Sequence, residues 1–137
     1  MIQTILLAIA GAILGLTPAD IDLAPPIPLK HRSAWTHGPV IPAGALPLVR
    51  AYPGAWSFAA AFLATYALHL VMDMFPGKWR GSALINLYPI HYSLPPLLSF
   101  LYLLAGALTS LWVGSQVMGW TINIQDLTGL INLSGLF

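Results

Sequence analysis

The stretch AWSFAAAFLATYALHLVMDMF, residues 55–75, decides how this chain folds. It is almost entirely apolar, and its length matches the roughly 20 residues, at about 1.5 Å each, that a helix needs to cross a bilayer. His69 and Asp73 stand four positions apart near its end. We therefore predict a membrane-spanning helix that carries a polar pair in its last turns.

The composition of the rest of the chain fits the same environment. Hydrophobic residues make up 58% of the chain and charged residues 7%, whereas soluble domains usually carry about 25% charged residues. A bilayer removes the need for a charged surface. The net charge of +1 gives no reason to expect a nucleic-acid partner, and the absence of cysteine excludes thiolate chemistry. We predict an all-α integral membrane protein in contact with membrane lipid.

Three further apolar runs surround this stretch. Only residues 94–118 are also comfortably long enough to cross a bilayer. Residues 2–16 form a short run, and because no Lys or Arg precedes Lys30 we interpret it as a retained span rather than a signal peptide. The sequence thus predicts three to four transmembrane helices, at about 2–16, 39–50, 55–75 and 94–118.

The run 39–50 is the weakest of the four, because Pro39, Pro42 and Pro47 interrupt it. It could be a kinked span or a re-entrant segment whose broken backbone bonds other parts of the protein cover. A Pro-rich connector, residues 17–35, precedes it. We assign residues 1–120 to a single membrane domain and 121–137 to a C-terminal tail, which could be an interfacial helix or a plain packing segment.

The cations predict the orientation in the membrane. If residues 39–50 cross the membrane, connectors 17–35 and 77–93 lie on the same side of it. Arg50 is then the only Lys or Arg on the opposite side. Cytoplasmic loops carry an excess of Lys and Arg, so we predict that both connectors are cytoplasmic in a multi-pass inner-membrane protein. The prediction fails if 39–50 is re-entrant. The cations on the predicted cytoplasmic side are Lys30, Arg32, Lys78 and Arg80.

Three short motifs could carry chemistry. His69 and Asp73 project from one helical face with Cβ atoms about 5–6 Å apart, a spacing that can hold a metal ion or a mutually neutralising pair. Asp20 and Asp22 lie between prolines, where an extended backbone points them the same way. Two converging carboxylates repel unless a cation joins them, so they are either metal ligands or a solvated pair.

The third motif is HRSAWTHG, residues 31–38. His31 and His37 can converge if a loop or helix start lies between them, and Pro39 favours such a start. Arg32 offers a cationic fork suited to phosphate or carboxylate. The alternative is anchoring of this segment among lipid headgroups.

Together the motifs predict one metal site built from imidazole and carboxylate, a donor set that suits Zn²⁺, Mn²⁺ or Fe. A divalent ion there would lower the pKa of water and make it a nucleophile at neutral pH. The predicted metal ligands are Asp20, Asp22, His31, His37, His69 and Asp73.

In this order, the segments ADID, HRSAWTHG and HLVMDMFPGKWRGSALI resemble a family of bacterial and archaeal membrane-bound hydrolases that are regarded as metal-dependent. Members look like PDIDH, HRxxTHS and HLxxDxxTPxG placed between short hydrophobic helices. The resemblance covers about residues 17–90. It implies metal or catalytic roles for the same six residues and supporting roles for Arg32 and Thr36. The chain departs from the family at Leu23 and Gly38, where members have His and Ser, and its first helix lacks a His.

The sequence therefore predicts a metal-dependent hydrolase that acts at the cytoplasmic interface on an ester or phosphoester. Within the site we assign catalytic roles to Asp22, His37 and Arg32, with Arg32 holding an anionic group of the substrate. The alternative is a non-catalytic subunit of a larger membrane complex that retains a degenerate family site. The departures from the family pattern favour that alternative.

Overall fold

The computed structural model describes residues 1–17, 32–75, 84–87, 89–90 and 92–119, and this part of the chain is mostly helical. Every helix begins and ends within about two residues of a predicted apolar run. A one-turn 3₁₀ helix, Pro53–Ala55, joins the second helix to the third. The helices are α1 (Ile2–Leu16), α2 (Val40–Ala51), α3 (Trp56–Met74) and α4 (Pro96–Val117).

Two of these helical segments are long and apolar enough to cross a membrane, Pro53–Met74 and Pro96–Val117. At about 1.5 Å per residue each spans roughly 33 Å, against a hydrocarbon core of about 30 Å. On α4 the side chains of Leu101, Leu108 and Leu111 are half exposed, as expected of a helix that faces lipid. Helices α1 and α2 are apolar but shorter, at roughly 22 Å and 18 Å.

Helix α1 packs against α3 with its backbone in direct contact. A Cβ at Gly11 would overlap the carbonyl of Phe58, and a Cβ at Gly15 would overlap Phe62 and Thr65. These glycines are four residues apart, the small-residue spacing that lets membrane helices approach closely. Because the contacts ascend both helices in the same direction, α1 and α3 run parallel and end near the same end of the bundle.

Helices α3 and α4 enclose the core. Tyr66, Leu70 and Leu103 are completely buried there. Ile85 joins them from the connector, and its backbone N–H donates to the buried Ser99 hydroxyl at 3.0 Å. The core lies toward the end of α3 that carries His69 and Asp73.

Residues 39–50, interpreted from the sequence as a kinked span or a re-entrant segment, form the helix α2 over Val40–Ala51. Pro42 falls in the first turn, where backbone N–H groups have no helical acceptor in any case. Pro47 lies inside the helix and removes one hydrogen bond, to the carbonyl of Ala43. The helix packs mainly on α4 and touches α3 lightly.

A small β-structure in the second connector was not foreseen by the all-α prediction. Strands β1 (Asn86–Leu87) and β2 (Tyr92–Ser93) pair antiparallel, and Ser33 forms a parallel bridge to Asn86. The Asn86 N–H donates to the Arg32 carbonyl at 2.8 Å, and the Ala34 N–H donates to the Asn86 carbonyl at 2.9 Å. The described parts of connectors 17–35 and 77–93 therefore lie side by side at one end of the bundle.

Candidate metal centre

The last two turns of α3 supply two polar side chains to one face. His69 and Asp73 stand at i and i+4, and His69 Nε2 lies 3.7 Å from Asp73 Oδ2. Both side chains are about 15% exposed. The helical spacing predicted this pair, and the structure confirms that the two side chains meet.

His37 joins the pair from the turn that precedes α2. The N–H groups of Thr36 and His37 both donate to the Ser33 carbonyl, at 3.0 and 2.9 Å, and close a helical turn. The Tyr66 hydroxyl fixes this turn to α3, because it donates to the Thr36 carbonyl at 2.7 Å and accepts from the Gly38 N–H at 3.1 Å. His37 is completely buried, and its Nε2 lies 3.4 Å from Asp73 Oδ2.

The hydroxyl of Thr36 contacts the imidazole ring of His37 at Nδ1. It donates to the Ser33 carbonyl at 3.2 Å and lies 2.9 Å from His37 Nδ1. When the hydroxyl directs its proton at the carbonyl, it accepts from an Nδ1–H. The proton on Nδ1 leaves a lone pair on Nε2, the atom that faces Asp73. Metal-binding histidines are commonly oriented in this way by a partner on the second ring nitrogen.

The spacing of the three atoms fits a metal ion. His37, His69 and Asp73 each offer one ligand atom that lies within 4.8 Å of the other two, and Nε2 of each imidazole faces Asp73 Oδ2. Two ligands held at about 2.0–2.1 Å by a tetrahedral ion are roughly 3.3–3.4 Å apart, close to the 3.4 and 3.7 Å separations between the imidazoles and the carboxylate. Charge-assisted hydrogen bonds are shorter, at about 2.7–2.9 Å.

Two of these atoms lack a hydrogen-bond partner. His69 Nε2 and Asp73 Oδ2 are buried and form no hydrogen bond within the described part of the chain. Buried polar atoms are rarely left in that state, because desolvation without a partner costs about 1–3 kcal/mol. Two imidazoles and one carboxylate around an open position are the protein ligands of many catalytic Zn²⁺ sites and of non-haem Fe²⁺ sites.

Arg32 contacts the cluster through the carboxylate of Asp73. Its Nη2 donates to Asp73 Oδ1 at 3.2 Å, and the side chain is 32% exposed. Its Nε is buried and makes no hydrogen bond to the described residues. The backbone at Arg32 has φ of 58°, in the left-handed region that residues other than glycine seldom adopt. The β1 strand holds this conformation through the Arg32 carbonyl.

The structure thus brings together half of the predicted ligand set. His37, His69 and Asp73 form one cluster that could hold a metal ion, and Arg32 contacts its carboxylate rather than standing apart from it. Predicted ligands Asp20, Asp22 and His31 lie outside the described residues. The same holds for Leu23, one of the departures from the resembled family, and for the tail 121–137.

Sequence reasoning missed the aromatic residues that support the cluster. Tyr66 lies three positions before His69 on the same face of α3, and that spacing was the signal that could have revealed it. Tyr102 donates to the Ala34 carbonyl at 2.8 Å, and a Cβ at Gly38 would overlap the Tyr102 ring. Glycine at position 38, where the resembled family has Ser, therefore leaves room for Tyr102.

No protein-family model, curated protein or solved structure gives a significant match to this chain. The resemblance to membrane-bound hydrolases accordingly stands on the three sequence motifs alone.

Proposed function

We propose that this protein is a multi-pass inner-membrane hydrolase whose metal centre is formed by His37, His69 and Asp73. The observation that carries the proposal is the convergence of one ligand atom each from His37, His69 and Asp73 to within 4.8 Å at the end of a helix long enough to cross a membrane. Ionisable side chains in a membrane segment are costly to bury and by default indicate a functional site. The motif order of the resembled hydrolases adds support.

The reaction is the hydrolysis of an ester or a phosphoester. A bound Zn²⁺, Mn²⁺ or Fe²⁺ would supply Lewis acidity and activate water at neutral pH. The oxygen of water bonds to the carbonyl carbon or the phosphorus, the bond from that atom to the leaving oxygen breaks, and the leaving oxygen takes up a proton. The products are an acid and an alcohol.

The residues of the chain divide the remaining work. Asp73 presents Oδ2 to the metal position while Arg32 holds Oδ1 at 3.2 Å, which fixes the carboxylate plane. The Nε–H of Arg32 is the donor that would bind an anionic oxygen of the substrate. Thr36 orients His37 through Nδ1. Asp20, Asp22 and His31 stay proposed as further ligands, with Asp22 as a candidate general base.

We further propose that the end of the bundle with the metal centre faces the cytoplasm. The described parts of both connectors lie at that end, and the sequence gives these connectors Lys30, Arg32, Lys78 and Arg80. Cytoplasmic segments next to membrane spans carry such an excess of cations. In this arrangement α1 and α2 also cross, with the bilayer thinned or α1 helped by flanking residues.

A second candidate is a non-catalytic subunit of a membrane complex, in which the same cluster is structural. The observation that favours it is the 3.2 Å ion pair between Arg32 and Asp73, which neutralises the carboxylate without any metal. His37 and His69 would then complete a polar network around Asp73 that holds the α2 turn against α3.

Metal analysis of the detergent-purified full chain distinguishes the two candidates. We expect near-stoichiometric Zn, Mn or Fe in the wild type and its loss in His69→Ala and Asp73→Asn. His91→Ala, a histidine outside the three motifs, is the matched control and should keep the metal. Arg32→Gln should keep the metal as well, but lose activity on anionic substrates.

A folded wild-type protein that binds none of the three metals after dialysis against each of them refutes the hydrolase proposal. Co-purification with a larger membrane complex that also forms with the His69→Ala and Asp73→Asn variants would establish the subunit candidate instead. Topology has its own test, since a reporter fused after Lys30 should report a cytoplasmic position and a periplasmic signal would reverse the proposed orientation.

A further inference from the structure

An apolar groove of about 580 Å³ runs between α2 and α3. Its walls are Gly44, Ala45 and Leu48 of α2 and Phe58 and Phe62 of α3, with further apolar neighbours at both ends. The volume falls within the roughly 300–1,000 Å³ of small-molecule sites. From Val40 to Val49 the groove follows α2 for about 14 Å, so it suits a long and narrow apolar group.

The groove and the metal centre share one face of α3. Phe58, Phe62, Tyr66, His69 and Asp73 recur at intervals of three and four residues, the spacing of a single helical stripe. The rings of Phe58, Phe62 and Tyr66 are stacked in succession with centroids 6.1 Å apart. The stripe is therefore aromatic along the groove and becomes ionisable at the end of the helix.

The two ends of this stripe differ in what they can bind. Among the described residues that line the groove, Tyr52 has a polar side chain and the other side chains are apolar. At the cluster, Arg32 offers a buried Nε–H donor that has no partner in the described structure. Seven residues separate Phe62 from His69, or roughly 10 Å along the axis. In a bilayer leaflet the headgroup layer is roughly 5–8 Å thick. The phosphate of a lipid is therefore separated from its acyl chains by a distance similar to that between the cluster and the groove.

We propose that the substrate is a bilayer phospholipid whose phosphate lies at the His37–His69–Asp73 cluster and Arg32, with an acyl chain in the groove between α2 and α3. The proposal rests on the proposed hydrolase function and names its substrate class. A water-soluble phosphoester would leave the groove unfilled. An apolar helix of a partner protein in the groove would leave the Nε–H of Arg32 without an acceptor. A phospholipid satisfies both, because it joins an anion to an apolar chain.

The hydrolysis of this substrate balances with water alone. The oxygen of water bonds to phosphorus, one of the two P–O ester bonds breaks with its electron pair on the departing oxygen, and that oxygen takes up a proton. The products are a phosphate monoester and an alcohol. The groove keeps the lipid at the depth where its phosphate meets the cluster, so chain binding and turnover are coupled.

Two glycines offer a matched pair of variants. A Cβ at Gly44 or at Gly54 would meet no other atom within 4 Å, so neither position resists a larger side chain. Gly44 lines the groove, whereas Gly54 lies outside it in the 3₁₀ turn. Gly44→Leu places a side chain in the groove, and Gly54→Leu adds the same apolar group elsewhere.

The binding experiment uses the full-length protein in vesicles that contain phosphatidylglycerol with a diazirine near the end of one acyl chain. After irradiation, mass spectrometry maps the labelled residues. We expect label on the groove walls in the wild type and in Gly54→Leu. In Gly44→Leu the labelling of these walls should fall at least about tenfold, because small changes in the fit of an apolar pocket alter substrate discrimination about 10–200-fold. Label spread evenly over the outward leucines of α4 and unchanged in Gly44→Leu would overturn the proposal.

The turnover experiment separates this proposal from the proposed function. With zinc-loaded protein, Gly44→Leu should lower the rate of hydrolysis of vesicle phosphatidylglycerol at least about tenfold. The rate on bis(p-nitrophenyl) phosphate, which has no acyl chain, should change less than about twofold. Equal losses on both substrates overturn the lipid proposal and leave the hydrolase function standing. If the wild type hydrolyses neither substrate, the hydrolase function fails and the lipid-substrate proposal fails with it; groove labelling would then report lipid binding alone.

Discussion

The hydrogen bond between Thr36 and His37 offers the sharpest test of the metal centre. Thr36 is buried, its hydroxyl donates to the Ser33 carbonyl, and it lies 2.9 Å from His37 Nδ1. Thr36→Val keeps the shape of the side chain and removes the hydroxyl. His37 then loses the partner that holds its proton on Nδ1, so Nε2 is no longer fixed as the metal-binding atom.

The expected effect follows from this one contact. Removing a hydrogen-bond partner of a buried polar group costs about 1–3 kcal/mol. Loss of a partner on the second nitrogen of a metal-binding histidine typically lowers metal affinity about 10- to 100-fold, which corresponds to about 1.4–2.7 kcal/mol. The two figures agree, so we expect zinc affinity to fall about 10- to 100-fold in Thr36→Val.

The assay is a competitive titration of zinc against a chelator of known affinity, with the protein in detergent. Thr36→Ser restores the hydroxyl and should return the affinity to within about threefold of wild type. Thr109→Val is the control for loss of a threonine hydroxyl elsewhere, because Thr109 only donates to the Ala105 carbonyl on the exposed side of α4. Unchanged zinc affinity in Thr36→Val would refute the assignment of the His37 tautomer.

Three further predictions concern the packing that supports the site. Gly11→Leu should destabilise the protein in detergent by about 1–3 kcal/mol, because the added side chain overpacks against α3. Gly44→Leu should not destabilise it, because the new side chain enters open space. Equal shifts of the melting temperature in the two variants would contradict the close contact between α1 and α3. Tyr66→Phe removes a hydroxyl that joins α3 to the turn before α2. We therefore expect the free energy of unfolding to fall by about 1–3 kcal/mol and zinc to bind more weakly. Wild-type stability and wild-type zinc affinity would show that this hydroxyl does not hold the turn. Gly38→Ser should destabilise the protein, because the added side chain would overlap the Tyr102 ring. In a double-mutant cycle, Tyr102→Ala should relieve part of this loss of stability. Strictly additive effects of the two substitutions on the free energy of unfolding would rule out the overlap.

The helices were predictable from the sequence because their signal is local. The apolar runs 2–16, 39–50, 55–75 and 94–118 correspond to α1–α4 within about two residues at each end. Hydrophobic length and the positions of proline and glycine are properties of neighbouring residues, and they mark helix ends without reference to the fold. Continuity of α2 was harder to predict, because Pro47 weakens a helix by an amount that packing on α4 can offset.

Part of the candidate site was also local. His69 and Asp73 meet because the α-helix places positions i and i+4 on one face. His37 was grouped with them only through the order of the motifs, and its contact with Asp73 depends on the turn before α2 and on Tyr66. Asp20, Asp22 and His31 stay predictions, since they lie outside the described residues.

The sequence by itself therefore determined that this chain forms apolar helices, two of them of membrane-crossing length, and that its few ionisable groups gather in two connectors and at the end of α3. Only the tertiary structure decided which of those groups meet. The parallel bridge between Ser33 and Asn86, the contact of His37 with Asp73 and the groove between α2 and α3 depend on residues that are distant in the chain. Such contacts follow from how whole helices pack, and helix packing is fixed by shape complementarity that no local pattern encodes.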